Sequence, residues 1–201
     1  MFKTIKENSS AEIVEKKSKF IANIFYVESR EEADNIIKEI NKKYHDARHN
    51  CYAYRVIENE VIIEKSSDDG EPSGTAGAPM LNILSKNNYA NILVIVTRYF
   101  GGILLGTGGL VKAYSSACAL GLEKADIIEK NIADLYKIEI NYTDVDKFKY
   151  FAKNNNIIIL KEEYLENVIL EVAIKEQESL KSISQKEINV KKMEFIKKIY
   201  V

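Results

Sequence analysis

Apolar and polar residues alternate in the manner of strands through Ala11-Glu12-Ile13-Val14-Glu15 and again from Phe20 to Val27, which predicts two short strands near the start of the chain. The period then changes. Ala33, Ile36, Ile37, Ile40 and Tyr44 recur at helical spacing behind Ser29 and Glu32, a capping-box pair, so a helix with one apolar stripe follows. Asn50 to Ile57 and Val61 to Glu64 read as a strand pair joined at Glu58-Asn59-Glu60, which makes the sheet antiparallel there. A turn-rich segment, SSDDGEPSGTAGAP, precedes a short helix marked by Met80, Leu81, Ile83 and Leu84. Ile92 to Val96 is continuously apolar, the pattern of a strand buried on both faces. A loop from Tyr99 to Gly109 leads from it into a helix rich in Ala, Ser and Gly, whose small side chains permit close packing on the sheet.

From about Ile132 the texture becomes Lys- and Glu-rich and free of glycine, which places a domain boundary near residues 127–134. Tyr136, Ile138, Ile140 and Tyr142 alternate as a strand, and Val145, Phe148, Phe151 and Ala152 form a helical stripe. Ile157 to Leu160 and Val168 to Ile174 are further strands, Leu180 and Ile183 mark a second helix, and Met193 to Tyr200 is a last strand. That β-α-β-β-α-β order predicts a ferredoxin-like sandwich. The expected architecture is therefore α+β in two domains, 1–130 and 131–201.

Composition narrows the class without naming a function. The 201 residues carry 29 Lys and Arg against 30 Asp and Glu, so bulk charge cannot hold nucleic acid and any polyanion site must be focal. No apolar run approaches the length of a membrane-spanning helix, and the opening MFKTIKENSS has no signal-peptide core. Two cysteines, Cys51 and Cys118, fit neither a disulfide framework nor a zinc pattern, which points to a reducing cytoplasm. All nine glycines and both prolines fall between Gly70 and Gly121, so chemistry is sought in that quarter of the chain first.

Four groups of residues in that quarter or shortly before it can carry it. Arg98-Tyr99-Phe100-Gly101-Gly102 through Gly106-Thr107-Gly108-Gly109 joins a buried strand to a helix start, so its free N–H groups could cradle a phosphate, with Lys112 on the first helical turn adding charge. The loop lacks the GK[ST] ending of a P-loop and fails G-x-G-x-x-G, and glycines placed only for tight turning and close packing would look the same. Asp68, Asp69 and Glu71 could bind a divalent cation or act as acid and base; alternatively they cap the next turn and neutralise Arg98 or Lys112. His45, His49 and Cys51 suggest a Cys/His dyad with no orienting partner, and Ser73 and Thr75 stand in no nucleophile elbow. Tyr52, Tyr54, Tyr99 and Tyr114 accompany Arg55, Arg98 and Lys112, a mixture that could stack bases or simply edge a core.

HNCYAYRV at 49–56, SSDDGEPSGTAGAPML at 66–81 and VIVTRYFGGILLGTGGLVKAY at 94–114 resemble the three signature blocks of the IMPACT family in its bacterial, YigZ-type branch. The resemblance is dense from about residue 15 to 125. It implies a first domain like the second domain of ribosomal protein S-five and a ferredoxin-like second domain like the last domain of elongation factor G. Eukaryotic relatives regulate translation by blocking the kinase that responds to amino-acid starvation, through a shared block preceded by a protein-interaction domain, so that pathway role is not carried over. Lys112 stands where relatives have arginine, which keeps the charge and loses the bidentate fork. The family's proposed functional positions fall on His49, Asp68, Asp69, Glu71, Ser73, Thr75, Arg98 and the Gly101 to Gly109 loop.

The resulting expectation is a non-enzymatic, cytoplasmic regulator that binds RNA or ribosome-associated factors, with phosphate held by the glycine loop, Arg98 and Lys112 and no cofactor or metal. The rival is an enzyme acting on a small phosphorylated or peptide substrate with Asp68, Asp69 or Glu71 as metal ligand or base. A third reading is a protein partner docked on the exposed sheet of the second domain, for which large apolar residues on that face would be the mark.

Overall fold

The structure is a computed structural model that describes residues 1–175, 183 and 189–201. The chain divides into two compact units, Phe2–Glu129 and Lys130–Val201, with Met1 grouped with the second.

In the first unit a five-stranded sheet runs in the order β2 (Ser9–Glu15), β3 (Ser18–Tyr26), β6 (Ile92–Tyr99), β4 (His49–Glu58), β5 (Val61–Ser67). Every neighbouring pair is antiparallel. The apolar run of β6 is central. Its Ile92, Val94 and Val96 join the core beneath α2 (Gly77–Lys86) and α3 (Gly106–Glu123), while Leu93 and Ile95 join the core on the opposite face under α1 (Arg30–Lys43). Burial on both sides is what a strand without polar alternation requires. The β4–β5 hairpin turns through Asn59 and Glu60, both at positive φ, as a two-residue connection with the twist of its strands demands. Gly121 lets α3 lie close on the sheet, since a Cβ there would lie 2.9 Å from Ile24.

Three details differ from the sequence reading. At the start of α1, Ser29 accepts from the Glu32 N–H at 3.1 Å, but the reciprocal Glu32 carboxylate takes the Glu28 N–H at 2.7 Å, one residue earlier than a capping box has it. Strands β1 (Phe2–Ile5) and β7 (Ile127–Lys130) pair with each other and were not foreseen, because four residues are too few to display a period. Helix α3 begins at Gly106, so Gly106 to Gly109 are helical rather than loop, and Lys112 lies in its second turn.

In the second unit β8 (Ile132–Ile140), a 3-10 turn at Tyr142–Asp144, α4 (Val145–Asn154), β9 (Ile157–Tyr164), β10 (Val168–Ile174) and β11 (Val190–Tyr200) form an antiparallel sheet in the order β11-β8-β10-β9. This is the split β-α-β arrangement of a ferredoxin-like sandwich. Phe148 and Phe151 of α4 pack with Ile138, Ile140, Leu170 and Val172 on one face. The helix expected at Leu180 and Ile183 falls outside the described residues except for Ile183, which is helical and buried in this core. The other face carries rows of charge. Glu194, Lys137, Glu171 and Lys161 lie opposite one another across all four strands, and Lys192, Glu139, Ile169 and Glu163 form the next row. Ile169 is the one large apolar residue in those two rows, and Ile158 and Leu160 of β9 are exposed.

Candidate functional site

Asp69 and Gly70 both adopt positive φ, reversing the chain directly after β5 and turning the acidic segment back over the end of β4. The three carboxylates then part company. Asp68 accepts the N–H groups of Gly74, Ala76 and Gly77 at 2.8, 2.9 and 2.8 Å, closing the N-terminus of α2. Burial pushes its carboxyl up, but the three backbone donors outweigh that and hold it below the usual carboxylate range. Asp69 takes the Asn50 N–H at 2.7 Å and lends its carbonyl to His49 Nδ1, also at 2.7 Å. A carbonyl only accepts, so Nδ1 carries the proton.

Glu71 is buried and faces the end of β6. Its Oε1 receives Arg98 Nη1 at 2.6 Å and the Tyr114 hydroxyl at 2.8 Å, with His49 Nε2 at 3.8 Å. Arg98 is only 5% exposed, and its guanidinium carbon lies 5.4 Å from the Phe20 ring and 5.6 Å from the Phe100 ring. Its Nε meets no acceptor among the described residues. The network continues from Tyr114 to Cys51, whose Sγ lies 3.3 Å from the phenol oxygen and 3.0 Å from the Asp68 carbonyl. Burial pushes the Cys51 thiol up to about 12, with the Tyr114 hydroxyl pulling the other way and the nearby carboxylates adding to the rise. Burial, then Cys51 and Glu71, raise the Tyr114 phenol likewise. Both therefore stay protonated at neutral pH, and Cys51 is a packed thiol rather than a nucleophile.

Beside this network lies a cavity of about 420 Å³, lined by Arg48, His49, Glu71, Arg98, Phe100 and Thr107 together with Leu104, Leu105 and Leu110. Gly106 opens one wall, so the start of α3 faces into it. No side chain caps that helix, and the N–H groups of Gly106, Thr107 and Gly108 find no acceptor among the described residues. The glycines around it divide by cause. A Cβ at Gly101 would meet the Lys17 backbone at about van der Waals overlap, and one at Gly77 would meet the Ser67 backbone, so both serve close packing. Gly102 and Gly106 supply positive φ. Gly108 has neither excuse: its φ is ordinary and a Cβ would meet nothing within 4 Å.

Of the residues singled out from sequence, the structure brings His49, Glu71, Arg98, Gly106 and Thr107 to one cavity. It sets others apart. Asp68 and Asp69 are engaged in the loop's own hydrogen bonds, Thr75 is buried with its hydroxyl on the Pro72 carbonyl at 2.6 Å, and Ser73 is exposed away from the lining. Gly101, Gly102, Gly108, Gly109 and Lys112 do not line the cavity either; Lys112 is exposed one turn further along α3. Arg98 is held by Glu71, not by Asp68 or Asp69. Among the described residues no group of three or more His, Cys, Asp or Glu side chains could hold a metal ion. Arg48 and Leu110 were not foreseen as site residues, and Phe100, Leu104 and Leu105 entered only as part of the glycine-rich run. Arg48 stands beside His49 just ahead of β4, and its guanidinium carbon lies 5.7 Å from the Phe100 ring.

The Impact N-terminal domain matches residues 16–122, and a domain of unknown function matches residues 138–181. The IMPACT family member YvyE of Bacillus subtilis is 39% identical over 176 residues, covering 88% of this chain and 81% of its own length. The IMPACT family member YigZ of Escherichia coli is 34% identical over 160 residues, covering 79% and 78%. A crystal structure described as that of a hypothetical protein superimposes with a TM-score of 0.64 at 29% identity, covering 98% of this chain and 97% of that one.

Proposed function

The chain belongs to the IMPACT family, and from that premise we propose that its first unit binds phosphate-bearing RNA, or an RNA-containing part of the translation apparatus, in the cytoplasm and without catalysing a reaction. The observation that carries the reading is the uncapped N-terminus of α3 opening on the same cavity as Arg98 and Arg48. Helix N-termini favour anions through aligned amides and the helix dipole, and an exposed arginine beside one adds a full charge. Lys112, being exposed and off the lining, adds only to the approach of a polyanion.

The second unit gives this reading no support. Sheets of its topology can bind RNA by stacking bases on aromatic residues of the two central strands. Here β8 and β10 offer Lys137, Glu139, Ile169 and Glu171 on the open face, which cannot stack and which set carboxylates against phosphate. No helix among the described residues is long and apolar enough to cross a membrane.

An enzyme acting on a small phosphorylated or peptide substrate remains the competitor, favoured by the cavity's volume, which lies in the range of roughly 300–1,000 Å³ usual for small-ligand sites. Against it, Asp68 and Asp69 accept backbone donors and Glu71 is the buried ion-pair partner of Arg98. Filter binding of single-stranded RNA across a salt series tests the proposal. Affinity should fall steeply between about 50 and 200 mM salt as phosphate contacts release counterions. Salt-insensitive association, or none, rejects it.

A further inference from the structure

The cavity has unsatisfied groups of both signs. On the donor side are the Gly106 and Thr107 amides and the guanidinium of Arg48. On the acceptor side is Glu71, whose Oε1 carries both of its hydrogen bonds while Oε2 receives no donor among the described residues. Between them the wall is apolar, formed by Phe100, Leu104, Leu105 and Leu110, with the exposed guanidinium of Arg48 beside the Phe100 ring. A bare phosphate would answer the first set only. It would leave the apolar wall wet and the free carboxylate oxygen without a donor.

We infer that the cavity takes a single unstacked nucleotide, with its phosphate on the α3 amides, its base on the Phe100–Arg48 platform, and a hydroxyl or exocyclic amine donating to Glu71. This rests on the phosphate reading above and adds the ligand's class. An anion, a planar apolar body and a hydrogen-bond donor within one small molecule are what the lining asks for, and a nucleotide combines them. Bases stack on aromatic rings and guanidinium planes without needing a sequence. Duplex RNA cannot serve, because its bases are held inside the helix and only its backbone could reach the α3 terminus.

Titration calorimetry of the whole chain with AMP and UMP, set beside adenosine and inorganic phosphate, tests this. The nucleotides should bind, with adenosine weaker by roughly tenfold or more for lack of charge-assisted hydrogen bonds. Inorganic phosphate should also be weaker by roughly tenfold, for want of stacking. Thr107→Asp puts a carboxylate where the phosphate sits while favouring the helix dipole. It should weaken AMP by roughly tenfold or more without lowering the melting temperature. Arg48→Ala, at an exposed position, should cost AMP roughly tenfold in affinity with no change in melting. Phosphate binding as tightly as AMP, or a short acidic peptide displacing AMP, would overturn the nucleotide assignment. So would salt-sensitive RNA binding that AMP neither matches nor competes with, but that outcome leaves the phosphate reading standing. RNA binding unaltered by Thr107→Asp removes the phosphate reading itself.

Discussion

Two helices of the first unit begin in glycine-containing sequence, and they end in opposite conditions. At α2 the Ala76 and Gly77 amides are closed by Asp68, eight and nine residues upstream, which also takes the Gly74 N–H of the preceding loop. At α3 the preceding residue is Leu105, no carboxylate among the described residues caps the first turn, and the cavity lies in front. The same electrostatic feature is thus a structural anchor in one place and an open anion seat in the other. Glycine content does not separate them. The whereabouts of the nearest carboxylate does, and Glu71, the acidic residue that could have reached α3, is held by Arg98 and Tyr114 instead.

The largest disturbance to this contrast should come from Glu71→Ala, which leaves Arg98 buried and without its partner. Urea unfolding should show a loss of about 3–5 kcal/mol, as for other broken buried pairs. A loss under about 1 kcal/mol would mean that water or another acceptor reaches the guanidinium. Gly121→Ala tests close packing of α3 away from its open end. A Cβ 2.9 Å from Ile24 should cost about 1–3 kcal/mol as overpacking.

At the closed terminus, Asp68→Ala should cost about 0.5–2 kcal/mol, the range of lost N-caps. Its pH dependence has a defined sign. The Asp68 carboxyl lies below its ordinary value of 3.8 in the folded chain, so its stabilisation is full above that value and disappears as the pH falls through the folded value. Comparing unfolding of the parent and Asp68→Asn between pH 7 and pH 2 should show the two curves converging in acid; parallel curves would deny Asp68 this role. The smallest effect belongs to the open terminus. Gly108→Ala has room for its methyl group and should raise stability by about 0.5–1 kcal/mol, the ordinary gain for glycine to alanine in a helix. A destabilised Gly108→Ala would show that packing, not access to the helix end, accounts for the glycine.

Much of the fold was legible because burial pattern and period are local properties. Ile92 to Val96 announced a strand covered on both faces, and the stripe from Ala33 to Ile40 announced α1 with its Ser29 cap. The β-α-β-β order of the second unit followed from the same arithmetic. The candidate site was legible only in outline. Arg98 at the end of an apolar strand had to find an anionic partner, but three carboxylates stood within four residues of one another and spacing could not choose among them. Lys112 was assigned to the site because α3 was begun four residues too late. Arg48 was overlooked because nothing in a run of polar residues marks one cation as facing a cavity.

The order of apolar and polar residues, by itself, determined most of the strands and helices, since each depends on neighbours a few positions away along the chain, and the placement of glycine marked the quarter that supplies part of the cavity lining. Tertiary structure alone decided which carboxylate seals α2, which one holds Arg98, and that the start of α3 is left open beside Phe100 and Arg48. The hold on Arg98 turns on contacts between segments 27 and 43 residues apart in sequence, and such distances are fixed only when the sheet brings the ends of β4 and β6 side by side.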